Sequence, residues 1–180
     1  MEVVQPSTAA NYFHLLRTHM RMPFRKPLFV VAPKKLLRFK NANATIDELG
    51  EDSRWQPLIL DQKKDLVADD KVKKVILCCG QVYYDLEAER EKLGRNDVAI
   101  LRTESLCPFP FKEIISELKK YKNAEITWCQ EEPKNAGPWT YVEPRLRNIQ
   151  KHVGRKNTKT VFAGRPIMAA AAVGFGSLHK

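Results

Sequence analysis

The chain has 180 residues, enough to bury a full core and consistent with one domain or one plus a fragment. Its 43% hydrophobic and 29% charged content is ordinary for a globular protein, and no apolar run approaches the roughly 20 residues that span a membrane. The formal net charge of +10 is spread along the chain and interleaved with acids, as in Glu87 to Arg95, which reads as a solvated basic surface and argues against nucleic-acid binding; a surface facing acidic partners is the second reading.

Val3-Val4 reads as a short strand. Pro6-Ser7-Thr8 offers a helix N-cap, with Ser7 or Thr8 accepting from the exposed amides. The spacing predicts a helix from about Ala9 to Met20, with Phe13, Leu16 and Met20 on one face, ended by Pro23. Leu28 to Ala32, bracketed by Pro27 and Pro33, reads as a fully buried strand. Strand, helix and strand make a right-handed crossover unit of a parallel sheet, whose missing strands are expected upstream. Residues 39–72 read as a charged connector. Its one apolar run, Trp55 to Leu60, is expected to add an antiparallel edge strand, and Lys63 to Lys73 is expected to be mobile.

From residue 73 onward the pattern alternates. Strands are predicted at Val75 to Cys79, Val98 to Leu101, Ile126 to Cys129 and Thr160 to Ala163. Helices are predicted at Val82 to Leu93, Phe111 to Tyr121 and Tyr141 to Val153, the last started or interrupted by Pro144. Such alternation predicts an α/β fold with a parallel sheet covered on both faces. Pro108-Phe109-Pro110-Phe111 reads as a rigid turn that delivers an aromatic into the core. The four cysteines (Cys78, Cys79, Cys107 and Cys129) have neither zinc nor thioredoxin spacing and read as reduced, with no structural disulfide. No metal site is expected, because the histidines are scattered: His14 reads as a packed or capping residue rather than a catalytic base, and His19, His152 and His179 have no identifiable partner.

Functional groups in open parallel sheets gather at the carboxyl ends of strands. Trp128-Cys129-Gln130-Glu131-Glu132-Pro133-Lys134-Asn135-Ala136-Gly137-Pro138-Trp139 leaves a strand at that kind of point with two adjacent carboxylates. Adjacent residues on an extended segment point to opposite sides, so Glu131 and Glu132 are poorly placed to share one proton. They are read as assembly residues: one accepts from backbone amides of the next loop or helix start, and the other pairs with an arginine across a boundary. Arg165, in the tight strand exit Gly164-Arg165-Pro166, is a candidate interface residue. Cys79-Gly80-Gln81 closes a strand and opens a helix, a weak version of a phosphate-binding turn.

These segments also carry a resemblance. Tyr12-Phe13-His14-Leu15-Leu16-Arg17, Phe24-Arg25-Lys26-Pro27-Leu28, Pro33-Lys34-Lys35-Leu36-Leu37-Arg38, Cys79 to Leu86, Cys107-Pro108-Phe109-Pro110, the Trp128 to Trp139 stretch and Ala163-Gly164-Arg165-Pro166 occur in family order. Together they resemble the C-terminal part of the thiamine-dependent decarboxylase component of 2-oxoglutarate dehydrogenase, with the 2-oxoadipate homologue as a close rival. The resemblance implies that residues 1–38 end a transketolase-like pyrimidine-binding domain and that 73–180 form a transketolase C-terminal-like α/β domain, truncated at its end. It implies a homodimeric parent, in the mitochondrial matrix of a eukaryote or otherwise in the cytoplasm, that passes a succinyl group to a lipoyl-bearing succinyltransferase.

Thiamine diphosphate and Mg would be held by groups N-terminal to this chain, which has no Gly-Asp-Gly segment, so the fragment alone is expected to bind neither and to contribute no catalytic residue. In the resembling family the arginine at Arg17 looks like part of an acyl-CoA or adenine-nucleotide effector site, and an arginine fork suits phosphate. A surface arginine paired with a nearby acid is the competing reading. Where the family often has a second arginine this chain has Thr18, and where it commonly has Ser and Lys this chain has Cys79 and Gln81. The abrupt ending of Gly174 to Lys180 leads us to expect a piece of a longer polypeptide; the alternative is a stand-alone nucleotide- or CoA-binding or assembly module.

Overall fold

The computed structural model describes residues 1–172 and 174, so the expectations placed on His179 and most of Gly174 to Lys180 lie outside the described residues. β1 (Glu2–Val4), α1 (Ala9–Arg21) and β2 (Leu28–Val30) form the expected crossover unit, with β1 and β2 parallel in the register Glu2↔Leu28 to Val4↔Val30. Thr8, not Ser7, caps α1: its Oγ1 accepts from the Asn11 amide at 3.1 Å.

One expectation for this unit is corrected: β2 is not fully buried, since Phe29 and the following Val31 are both exposed. The face of α1 that carries Phe13, Leu16 and Met20 is exposed as well. The buried side chains are Asn11, His14 and Leu15, because the polar side of α1 packs against the connector and the interior hydrogen-bonds it.

β3 (Leu58–Ile59), β4 (Lys74–Cys78), β5 (Val98–Thr103), β7 (Glu125–Cys129) and β8 (Val161–Ala163) form a five-stranded sheet in the order β3-β5-β4-β7-β8. Only β3 is antiparallel, as the edge strand expected in Trp55 to Leu60. α2 (Val82–Lys92), α3 (Phe111–Lys120) and α4 (Trp139–His152) connect the parallel strands. The main core lies under α3 and α4, where Ile114, Leu118, Val142, Leu146 and Ile149 meet Val75, Leu77, Ile126 and a fully buried Trp128. A second cluster under α2 contains Tyr83, Tyr84, Cys78 and Ile100.

β6 (Ser105–Cys107) is the element the sequence did not announce. It pairs antiparallel with β1 (Val4↔Ser105, Val3↔Cys107), so a small sheet of order β2-β1-β6 joins the N-terminal unit to the segment that follows β5. One neighbour of β1 therefore comes from downstream, whereas the sequence suggested only upstream partners. The connector is also anchored: Asp61 Oδ2 accepts from the Ile100 amide at 2.6 Å and from Arg90 at 2.5 Å, and Lys63 reaches Glu91 at 2.8 Å.

Candidate functional site

β4 and β7 run side by side in the register Cys78↔Cys129, so the residues that follow each strand emerge together at one end of the sheet. Gln130 organises this end. It is buried, its amide donates to Ala163 O at 3.1 Å, and its Oε1 accepts from Trp128 Nε1 at 2.9 Å. Its Nε2 donates to Ala136 O at 2.8 Å and to Glu132 O and Pro133 O, each at 3.2 Å. One side-chain amide thereby supplies the hydrogen bonds that a loop of this shape otherwise leaves unmade.

The loop presents the two carboxylates differently. Glu131 is exposed, accepts from Gln81 Nε2 at 2.6 Å, and offers its backbone oxygen to Arg165 Nε at 2.9 Å. Arg165 also donates to Ala171 O at 2.8 Å, and Asn135 Nδ2 donates to Met168 O at 2.8 Å, so residues 165–171 are stitched onto the loop. Glu132 is half-buried and lines an apolar cavity of about 290 Å³ with Val3, Val31, Leu106 and Tyr141. Among the described residues no loop amide donates to either carboxylate; the loop is held instead by Gln130 Nε2 donating to its carbonyls. Gly137 turns the chain with φ +64°, and a Cβ there would lie 3.0 Å from the Glu132 side chain.

The Cys79-Gly80-Gln81 turn is closed rather than open. Gly80 has φ +70°, and a Cβ there would meet Gln5 Nε2 at 2.6 Å. Gln81 is engaged with Glu131. Burial pushes the Cys79 and Cys78 thiols well above their ordinary value, which disqualifies both as nucleophiles at neutral pH.

A buried polar cluster, missed from sequence, joins the N-terminal unit to this sheet. Glu104 is fully buried and accepts from Ser7 N (2.7 Å), Ser7 Oγ (2.6 Å) and Asn11 Nδ2 (3.0 Å). Arg102 donates to Ser7 Oγ at 3.3 Å and stacks over the Tyr83 ring at 4.0 Å, and Tyr84 Oη donates to Ser7 O at 2.7 Å. Burial raises the Glu104 carboxyl above its usual range, against the hydrogen bonds from Ser7 and Asn11. The available signal was Arg-Thr-Glu at the end of an apolar run, where two charges on alternate positions share one face of a strand.

Arg17 stands apart from the Glu131 loop. It is half-buried, and its guanidinium makes only long contacts of 3.4 Å to Gly50 O and Ser53 O. No acid pairs with it among the described residues. His14 is packed, with Nε2 2.8 Å from Glu48 O. His19 has a partner after all, Glu2 at 2.9 Å.

Residues 43–180 match the family described as 2-oxoglutarate dehydrogenase C-terminal. The chain is 46% identical over 186 aligned positions to the 2-oxoglutarate dehydrogenase E1 component of Brucella anthropi, covering 99% of this chain and 19% of that protein. The E1 components of Brucella ovis and Brucella suis match at the same 46% identity, with 99% of this chain and 18% of theirs covered. The chain thus spans less than a fifth of the length of these relatives. With the match running from residue 43 to the last residue, the chain belongs to the 2-oxoglutarate dehydrogenase C-terminal family.

Proposed function

We propose that this chain is the C-terminal part of an E1-type subunit that oxidatively decarboxylates 2-oxoglutarate and passes the succinyl group to a lipoyl-bearing succinyltransferase. The observation that carries the reading is the 46% identity to E1 components over 99% of the chain. Thiamine diphosphate supplies the electron sink for such a decarboxylation. The donor set here does not fit that cofactor. Among the described residues no three His, Cys, Asp or Glu side chains are grouped to hold its divalent ion. The Cys79-Gly80-Gln81 strand-to-helix turn is closed over by Gln5 and Glu131. We therefore place the cofactor outside this chain and assign no step of the reaction to its residues.

In this reading the chain serves assembly. The Gln81–Glu131–Arg165 contacts hold one rigid face at the end of the sheet, which we assign to the subunit boundary of a homodimer. Arg17, whose fork is held only by two contacts of 3.4 Å, is the candidate for the phosphate of an acyl-CoA or adenine-nucleotide effector.

The test is the mass and activity of the polypeptide that carries this segment in its cell, isolated with an antibody raised against it. A mass several times 20.7 kDa together with 2-oxoglutarate decarboxylation is expected. Preference for 2-oxoadipate would move the assignment to the sister enzyme. A mass near 20.7 kDa would overturn the reading in favour of a stand-alone binding module.

A further inference from the structure

At the opposite end of the five-stranded sheet from the Glu131 loop, the end of α3, the start of β7 and the α4–β8 connection enclose a groove of about 1030 Å³. Its rim is cationic: Lys119, Lys122, Lys156 and Lys159 all line it and all are exposed. Among the described residues none of the four forms an ion pair, as is also true of Lys34, Lys40 and Lys64 outside the groove; what sets the four apart is that they share one concavity. Among the described residues that line the groove Glu125 is the one acid, and it is already matched by Lys74 at 2.9 Å.

A bland explanation covers part of this. Lys119 lies in the last turn of α3, where the helix dipole favours a cation. Lys122, two residues past the end of α3, shares that field, whereas Lys156 and Lys159 lie well past the end of α4 at His152 and are not accounted for by a helix dipole. The walls are held in shape by Arg155, which spans the groove to donate to Tyr121 O at 2.8 Å and to Ala124 O. Half-buried Val153 and Val161 give the groove an apolar patch inside the basic rim. Like charges around one concavity repel one another, and an anionic occupant relieves that repulsion.

Chemistry indicates the kind of occupant. Small-molecule sites are mostly apolar and converge on few polar groups. This groove is not mostly apolar: its apolar patch sits inside a charged rim, the anatomy of a protein interface. We propose that this groove docks an acidic polypeptide segment, its carboxylates meeting Lys119, Lys122, Lys156 and Lys159 while an apolar anchor seats on Val153 and Val161. Docking at the amino ends of the strands leaves the Glu131 loop free, so this surface is independent of the assembly face proposed above.

The test is fluorescence anisotropy of the full chain with a fluorescein-labelled Glu/Leu peptide at physiological ionic strength. Lys122→Glu/Lys156→Glu/Lys159→Glu is compared with Lys34→Glu/Lys40→Glu/Lys64→Glu, which changes net charge equally on exposed lysines outside the groove. The groove variant is expected to bind about tenfold more weakly or worse, and the control to stay within about twofold of the parent. If charge reversal prevents folding, Lys122→Gln/Lys156→Gln/Lys159→Gln replaces it, with a loss of about threefold or more expected. Three results would overturn the proposal: no saturable binding, equal losses in groove and control variants, or tighter binding of a single-stranded oligonucleotide of matched charge.

Discussion

Ser7 and Glu104, 97 positions apart, meet in the interior with Ser7 giving both its amide and its hydroxyl to the two carboxylate oxygens, at 2.7 and 2.6 Å. This contact ties the β1-α1-β2 unit to the end of β5, and β6 begins at the next residue, Ser105, to pair with β1. In Glu104→Gln the new amide group would confront donors from Ser7 or Asn11, at an expected cost of about 2 kcal/mol of unfolding free energy. Urea unfolding measures it. A loss within error of zero would mean that the β1–β6 pairing alone holds the unit.

The same residue predicts a pH dependence. Burial holds the Glu104 carboxyl above its ordinary value in the folded chain. A group that keeps its proton more tightly when folded adds stability below the ordinary carboxylate value, and that stability is lost as pH rises through the raised value. Gln does not titrate there. The deficit of Glu104→Gln relative to the parent is therefore expected to narrow as pH goes from acid to neutral. Unfolding curves across that range check the sign, and a deficit that widens with pH would show that Ser7 and Asn11 outweigh burial.

Two glycines with similar backbone angles separate strain from crowding. Gly94 has φ +59° with nothing within 4 Å of an added Cβ, whereas Gly80 at φ +70° has Gln5 Nε2 at 2.6 Å. Gly94→Ala is expected to cost about 1 kcal/mol from its backbone angle alone. Gly80→Ala is expected to cost about 1 kcal/mol more, recovered in part by Gln5→Ala in the double variant. Equal costs at the two positions would mean that the Gln5 side chain simply swings away.

Gln130→Ala strips Trp128 Nε1 of its acceptor and leaves Ala136 O, Glu132 O and Pro133 O without their shared donor. The expected cost is about 3 kcal/mol. Loosening of the loop over residues 131–138 should appear as faster amide exchange there and a change in Trp128 emission. Unchanged exchange would show that the prolines and Gly137 shape the loop without Gln130.

Much of this architecture was readable because its signals are local. Val75 to Cys79 and Ile126 to Cys129 are apolar runs closed by turn residues, and they lie in one sheet and run parallel as expected. What was not readable depends on partners distant in sequence. Ser105-Leu106-Cys107 is three residues before a proline and becomes a strand only because β1 lies beside it. Periodicity places Phe13, Leu16 and Met20 on one face of α1 but does not report what covers that face, which is exposed. Its buried face carries Asn11, bonded to Glu104, and His14, whose Nε2 lies against Glu48 O, and a buried polar contact leaves no periodic trace. The carboxyl end of β7 was located correctly, but attention went to Glu131 and Glu132 while the organising role fell to their neighbour Gln130.

The assembly reading makes one separable prediction. Glu131 and Arg165 lie at the surface of the site and contact each other through the Glu131 backbone oxygen at 2.9 Å, so neither side chain supports the core. Arg165→Ala and Glu131→Ala in the full-length subunit are expected to change unfolding free energy by less than about 1 kcal/mol each, as for surface polar contacts generally. If this face lies at a subunit boundary, the same variants weaken the dimer by about tenfold or more, because a partner's charge would be left unpaired. Sedimentation at graded protein concentration reads this directly. A dimer as tight as the parent's, with stability equally unchanged, would remove Glu131 and Arg165 from the interface and leave their contacts as the fastening of residues 165–171 alone.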